Sequence, residues 1–325
     1  MIDQHGRNIE YIRISITDRC NFRCMYCMPD TGISKVNHEE ILTYEEIRRL
    51  CRILAGMGIT KVKITGGEPL VRGNVPYLIK KIRKIPGIEN VTLTTNGMLL
   101  KENIRELAEA GLDAVNISID ALDEKIFEKI AGRKGLAQVL EGLEEALKYP
   151  NIRVKVNCVL LEGMNESQWM KLAELAKDRL IDVRFIEMMP IGYGKQYCGE
   201  TEAHVRQMLE KTYGRITDVQ GKFGNGPSTY VKLEGFQGKI GFISAMSHKF
   251  CAECNRIRLT SGGWLKPCLQ YAAGADLKRI LRENGSDQEL EAVMRKTIYE
   301  KPVSHHFEQR NQIGFENKKM SEIGG

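Results

Sequence analysis

Between residues 11 and 188 six short strand-forming runs alternate with helical sequence. The strand-like runs lie at 11–16, 61–65, 91–96, 114–120, 152–161 and 181–188. Helical spacing occupies 43–58, 74–85, 101–110, 123–130, 136–148 and 166–177; in the first of these Ile47, Leu50, Ile53 and Leu54 share a face and Gly56 and Gly58 stop it. Such alternation predicts a parallel sheet with crossover helices. Parallel strands covered on both faces usually read as unbroken apolar runs. Here five of them alternate: Ile12, Ile14 and Ile16 oppose Arg13 and Ser15, Val62 and Ile64 oppose Lys63, Val91 and Leu93 oppose Thr92 and Thr94, and the next two follow suit. The apolar row can pack on helices while the polar row faces something wet or ionic. A full eight-stranded barrel fills its interior with branched residues. The pattern therefore predicts an incomplete (β/α)6 barrel of the triosephosphate-isomerase type, its lumen lined by Arg13, Lys63, Thr94, Ser118 and Lys155. The competing reading is an exposed sheet face.

After about residue 215 the character changes. A Gly/Pro-bearing loop at 222–230, a hairpin pair ("YVKLEG", "KIGFIS"), helices near 275–283 and 287–298 and a polar tail are expected. The division expected is 1–215 for the barrel and 216–325 for a smaller region. The net charge of +6 is spread along the chain, with no aromatic-interleaved basic stripe, so no nucleic-acid partner is expected. No apolar signal core and no run of roughly 18 apolar residues occurs, so no membrane role and a cytoplasmic location are expected. In a reducing compartment the nine cysteines suggest metal ligands or buried thiols rather than disulfides.

Six of those cysteines form two triads. Cys20, Cys24 and Cys27 follow the first strand at x3–x2 spacing. Cys251 and Cys254 form an x2 pair, with thirteen residues between Cys254 and Cys268. Thiolates suit zinc or iron–sulfur clusters. A structural zinc site expects four protein ligands; a four-iron cluster held by three cysteines keeps one iron open. Both remain possible for each triad on spacing alone, with His248 as a remote fourth ligand in the second.

With Tyr26 before Cys27 and "TGGEP" at 65–69, the first triad resembles the radical S-adenosylmethionine enzymes. The resemblance implies a 4Fe-4S cluster whose open iron is chelated by S-adenosylmethionine, and reductive cleavage to methionine and a 5′-deoxyadenosyl radical. "IRISITDRCNFRCMYC" (12–27), "CAECNRIRL" with Cys268, and Gly324–Gly325 narrow it to the GTP 3′,8-cyclases of molybdenum cofactor biosynthesis. That resemblance implies a second 4Fe-4S cluster binding GTP. The ribose C3′ radical then attacks guanine C8, giving (8S)-3′,8-cyclo-7,8-dihydroguanosine 5′-triphosphate. It also implies an electron donor, hand-over of product to cyclic pyranopterin monophosphate synthase, and a homodimer. GTP contacts are implied for Arg13, Lys63, Thr94, Lys155, Arg256, Ile257 and Arg258, and S-adenosylmethionine contacts for Tyr26, Gly67, Ser118 and Met189. Catalytic roles are implied for Arg256, Arg258, Gly324 and Gly325. Where the family usually offers arginine, Lys63 keeps the charge without the planar fork. A peptide-modifying relative with an auxiliary cluster and a zinc-stabilised binding protein are the alternatives. Cys51, Cys158 and Cys198 are expected to be packing residues, and the pair His305–His306 to lie on the surface.

Overall fold

A computed structural model describes residues 1–32, 37–221, 223–309 and 314–324. The six repeating strands are β1 (Tyr11–Ser15), β2 (Lys61–Thr65), β3 (Asn90–Thr95), β4 (Ala114–Ser118), β5 (Arg153–Leu160) and β6 (Asp182–Glu187). They pair in chain order, all parallel. Between them run α1 (Tyr44–Gly56), α2 (Val75–Arg83), α3 (Leu100–Glu109), α4 (Glu124–Ala131), α5 (Leu136–Ala146) and α6 (Glu166–Glu174). The start of α1 follows from sequence: Thr43 accepts from the Glu46 amide while the Glu46 carboxylate accepts from the Thr43 amide, satisfying two donors the helix would leave open.

The later part of the chain supplies α7 (Glu202–Tyr213), β7 (Ile216–Val219), β8 (Thr229–Leu233), β9 (Ile240–Ile243), β10 (Arg256–Leu259), β11 (Trp264–Lys266) and β12 (Ala275–Asp276), then α8 (Leu277–Arg282), α9 (Asp287–Tyr299) and α10 (Met320–Ile323). β8 and β9 form the expected antiparallel hairpin. What local pattern does not show is where these strands go. β9 adds in parallel to β6 and β10 in parallel to β1, with short antiparallel strands beyond each. The sheet runs β12-β11-β10-β1-β2-β3-β4-β5-β6-β9-β8-β7 and, among the described residues, its two edges are not joined. It is an α/β sheet of the incomplete barrel type. Among the described residues no helix is long and apolar enough to cross a membrane.

The alternation read from the strands is obeyed. Ile12, Ile14, Val62, Ile64, Val91, Leu93, Val115, Ile117, Val154 and Val156 are buried in one cluster under the helices. Each such side chain contributes about 1.5–3 kcal/mol by leaving water, and a slip of one residue would exchange this row with the polar one. Two expectations are corrected. Cys51 and Cys158 are buried as packing residues should be, but Cys198 is exposed in the loop after β6. His305 is buried, its ring 4.2 Å from that of Phe307, because the chain turns inward after α9 to pack beside Cys251; only His306 is part-exposed.

Candidate active site

The polar row lines a cavity of about 1090 Å³ inside the open barrel. Register explains its charge. Arg13 on β1 lies opposite Lys63 on β2 and Arg258 on β10. Neighbouring strands stand about 4.8 Å apart, so three cations sit abreast across one stretch of wall. Arg256, Lys155 and Arg184 face the same space. Burial and the neighbouring cations, Arg13 foremost, push the Lys63 ammonium well below the ordinary lysine range, and burial with Arg13 and Arg256 likewise lowers Arg258. Such a wall is repulsive until a polyanion enters it.

Lys155 is differently placed. Its Nζ donates to the Phe223 carbonyl at 2.5 Å and the Tyr230 hydroxyl at 2.9 Å, and stands 3.2 Å from Asp182. The loop 223–228 thereby closes one side of the cavity.

The first cysteine triad sits on this cavity's wall. The loop leaving β1 is tied down by its neighbours: the amides of Arg23 and Met25 donate to Ala131 and Ile130 at the end of α4. The turn after β2 presses against it, with the Gly67 amide donating to Thr17 at 2.7 Å and the Glu68 amide to Arg19 at 2.8 Å. Glycine is required at that approach, since a Cβ on Gly67 would stand 2.5 Å from the Arg19 carbonyl oxygen. The Glu68 carboxylate, raised to about 7 by burial, accepts from Thr95 Oγ1 and the Asn96 amide. It thereby locks this turn to β3.

Burial pushes the Cys20 thiol up to about 11 and the Cys27 thiol to about 12, and lifts Cys24 well above its usual range with help from the neighbouring sulfurs. Three neighbouring thiols on one wall that are reluctant to ionise alone suit a metal centre, which removes their protons on binding. N–H donors already point at the sulfurs: the Phe22 amide at Cys20 and the Ser321 amide at Cys27. These features fit an iron–sulfur cluster. Among the described residues no three His, Cys, Asp or Glu side chains converge on a single-ion site. A four-iron core carries each thiolate on a separate iron. Tyr26 donates to Asp120 at 2.7 Å, and Ser118 and Met189 join it, Gly67 and Thr94 on the same wall.

Cys251 and Cys254 lie on the turn before β10, and Cys268 follows β11. These sulfurs are not on the cavity wall; their neighbours Arg256, Arg258 and Leu269 are. Burial works against the Cys254 thiolate, but Arg256 and Lys301 outweigh it and hold the thiol down at about 7. Ile257 turns its side chain into the apolar core, since alternation sends it to the face opposite Arg256 and Arg258. Only its backbone remains available to a ligand. Arg258 Nη1 donates to the Gly324 carbonyl at 2.6 Å, and a Cβ on Gly324 would stand 2.9 Å from Ser15 Cβ. The segment after α10 is thus seated at the end of β1. Gly325 lies outside the described residues.

Sequence reasoning missed Arg184, Asp120 and the loop 223–228. Arg184 was findable, since Asp182, Arg184 and Ile186 alternate with Val183 and Phe185 as in the other strands.

Residues 14–176 match the model of the radical SAM superfamily, and 181–307 that of molybdenum cofactor synthesis C. The chain is 45% identical over 326 residues to a GTP 3′,8-cyclase of Clostridium perfringens and 44% identical over 329 residues to one of Syntrophomonas wolfei, each match covering 100% of both chains. Among solved structures it resembles Streptococcus suis SuiB (TM-score 0.63, 15% identity) over 92% of this chain and 66% of that one. It also resembles methylornithine synthase (TM-score 0.52, 15% identity) over 88% and 86%. At these identities the two structures speak for the fold alone. The full-length relatives and the two family models together establish that the chain belongs to the radical SAM superfamily and, within it, to the GTP 3′,8-cyclase family.

Proposed function

We propose that this chain cyclises GTP to (8S)-3′,8-cyclo-7,8-dihydroguanosine 5′-triphosphate, the first step of molybdenum cofactor biosynthesis. The observation that carries the reading is the row Arg258–Arg13–Lys63, aligned by register on the wall that also holds the first cysteine triad. A triphosphate takes charge-assisted hydrogen bonds from such a row, and its far end is then presented toward the cysteines. When bound, a cluster on Cys20, Cys24 and Cys27 supplies the electron that cleaves S-adenosylmethionine, and S-adenosylmethionine supplies the hydrogen-abstracting group.

The chain's own residues orient and exclude water. Gly67 would give backbone access to the methionyl end of S-adenosylmethionine, and Tyr26, braced by Asp120, with Ser118 and Met189 would hold its adenosyl part. Thr94 and Lys155 flank the nucleotide. Lys155 reaches it by exchanging the Phe223 carbonyl for a phosphate oxygen. Arg256, Arg258 and the Gly324–Gly325 segment meet the reacting nucleoside. In this proposal residues 1–215 generate the radical, and 216–325 carry a second cluster on Cys251, Cys254 and Cys268 that holds the purine. An external electron donor, hand-over to cyclic pyranopterin monophosphate synthase, a homodimer and a reducing cytoplasmic setting complete it.

The test is anaerobic turnover of the reconstituted protein with dithionite and S-adenosylmethionine, with and without GTP, followed by mass spectrometry. GTP-dependent 5′-deoxyadenosine with a cyclised triphosphate is the expected result. Deoxyadenosine with no guanine-derived product would overturn the substrate assignment.

A pH prediction follows from Lys63. Between its lowered value and the ordinary lysine value near 10.5, the folded Lys63 is neutral while the unfolded chain is protonated there. The unfolded state binds more protons, so this group's contribution to stability rises with pH through that window. GTP favours the ammonium, so binding takes up a proton and weakens as pH rises through the same window. Calorimetry in buffers of different ionisation enthalpy should show the uptake. Lys63→Arg should reduce it while retaining affinity, and Lys63→Met should weaken GTP by roughly 10- to 150-fold, the loss of one charge-assisted hydrogen bond. Equal proton uptake by the parent and Lys63→Arg would refute the assignment.

A further inference from the structure

Lys301 follows α9 and is 2% exposed. Its Nζ donates to the Arg256 carbonyl at 2.9 Å and the Pro267 carbonyl at 2.5 Å. Arg256 stands two residues after Cys254, and Pro267 immediately precedes Cys268. One ammonium therefore bridges both chain segments that carry the second triad.

The backbone of Lys301 is held just as firmly. Arg7 donates to the carbonyls of Cys251 at 2.9 Å, Lys301 at 3.2 Å and Pro302 at 2.7 Å, while its Nε pairs with buried Asp3 at 2.6 Å. Among the described residues no carboxylate pairs with Lys301. A buried cation is unfavourable without a counter-ion, and two carbonyls offset only part of this. The negative charge that would balance it belongs on the cysteines of the two segments its hydrogen bonds join.

We propose that Lys301 is the built-in counter-charge of the second iron–sulfur centre: it fixes the spacing of the Cys254 and Cys268 segments and sets that centre's reduction potential. This rests on reading the second triad as a cluster site. Lys301 acts through the thiolates and not on the substrate, so it is a positioning residue. A nearby fixed cation stabilises the added electron; its removal makes the centre harder to reduce.

The experiment is a redox titration of the reconstituted full-length protein followed by electron paramagnetic resonance, with the first centre as internal reference. Lys301→Met keeps the side chain's bulk and loses charge and donors. The expected result is a second-centre midpoint displaced to more negative potential, an unchanged first centre, and parent behaviour restored in Lys301→Arg. An unchanged second-centre midpoint in Lys301→Met overturns the proposal. If Lys301→Met does not retain the second centre, Lys301→Arg decides: retention at the parent potential supports the charge role, and loss there too overturns it. A parent protein showing one centre only would overturn the cluster reading itself, and this proposal with it.

Discussion

Cys251→Ala is expected to leave reductive cleavage of S-adenosylmethionine intact and to abolish GTP cyclisation, if the second triad holds the substrate as proposed. The reason is the separation of the two triads. Cys20, Cys24 and Cys27 are carried by the β1–α1 loop and braced by Gly67, Glu68 and the end of α4. Cys251 belongs to a different assembly, its sulfur accepting from the His305 amide and its carbonyl from Arg7. Removing its thiol touches none of the first triad's supports. Bound iron should fall by about half, 5′-deoxyadenosine should still form with dithionite, and the cyclised triphosphate should disappear. Cys24→Ala, by contrast, should eliminate deoxyadenosine and product together. Product formation by Cys251→Ala at the parent rate would show that the second triad does not hold the substrate.

Gly67→Ala should be damaging at the site although it adds only a methyl group. The new Cβ would meet the carbonyl oxygens of Arg19 at 2.5 Å and Asp18 at 2.6 Å. Both are backbone atoms, so no rotamer change relieves the clash. The turn and the cysteine loop must part, which sacrifices the bonds from the Gly67 amide to Thr17 and from the Glu68 amide to Arg19. With overpacking at 1–3 kcal/mol and each of the two lost bonds near 1, a destabilisation of about 3–5 kcal/mol is expected. S-adenosylmethionine binding should weaken by at least about 10-fold, because the same movement displaces Tyr26 and the triad. Gly73 is the control: nothing lies within 4 Å of a Cβ built there, and Gly73→Ala should stay within about 0.5 kcal/mol of the parent. Thermal unfolding and equilibrium binding read both. A Gly67→Ala protein with parent stability and parent affinity would mean the close approach is not needed.

The strand alternation carried most of the cavity wall. Arg13, Lys63, Thr94, Ser118 and Lys155, read from alternation alone, all line the cavity. This worked because side-chain direction along a strand is a local property with a period of two. Arg256 and Arg258 were legible for the same reason, and so, in hindsight, was Arg184. The displacement of Ile257 from the cavity obeys the same rule.

What the sequence by itself determined, then, was each strand's two faces and each helix's buried stripe, all encoded within a few residues. Tertiary structure alone decided which strands became neighbours. β10 pairs with β1 across a separation of some 245 residues, placing Arg258 beside Arg13, and β9 takes the far edge beside β6. Nothing within either segment specifies that partner, because any strand presents the same backbone donors and acceptors at its edge. Lys301 and Arg7 are the extreme case. Each looks like an ordinary surface cation in its own stretch of sequence. Each is buried because distant segments close over it and offer carbonyls that no local pattern announces.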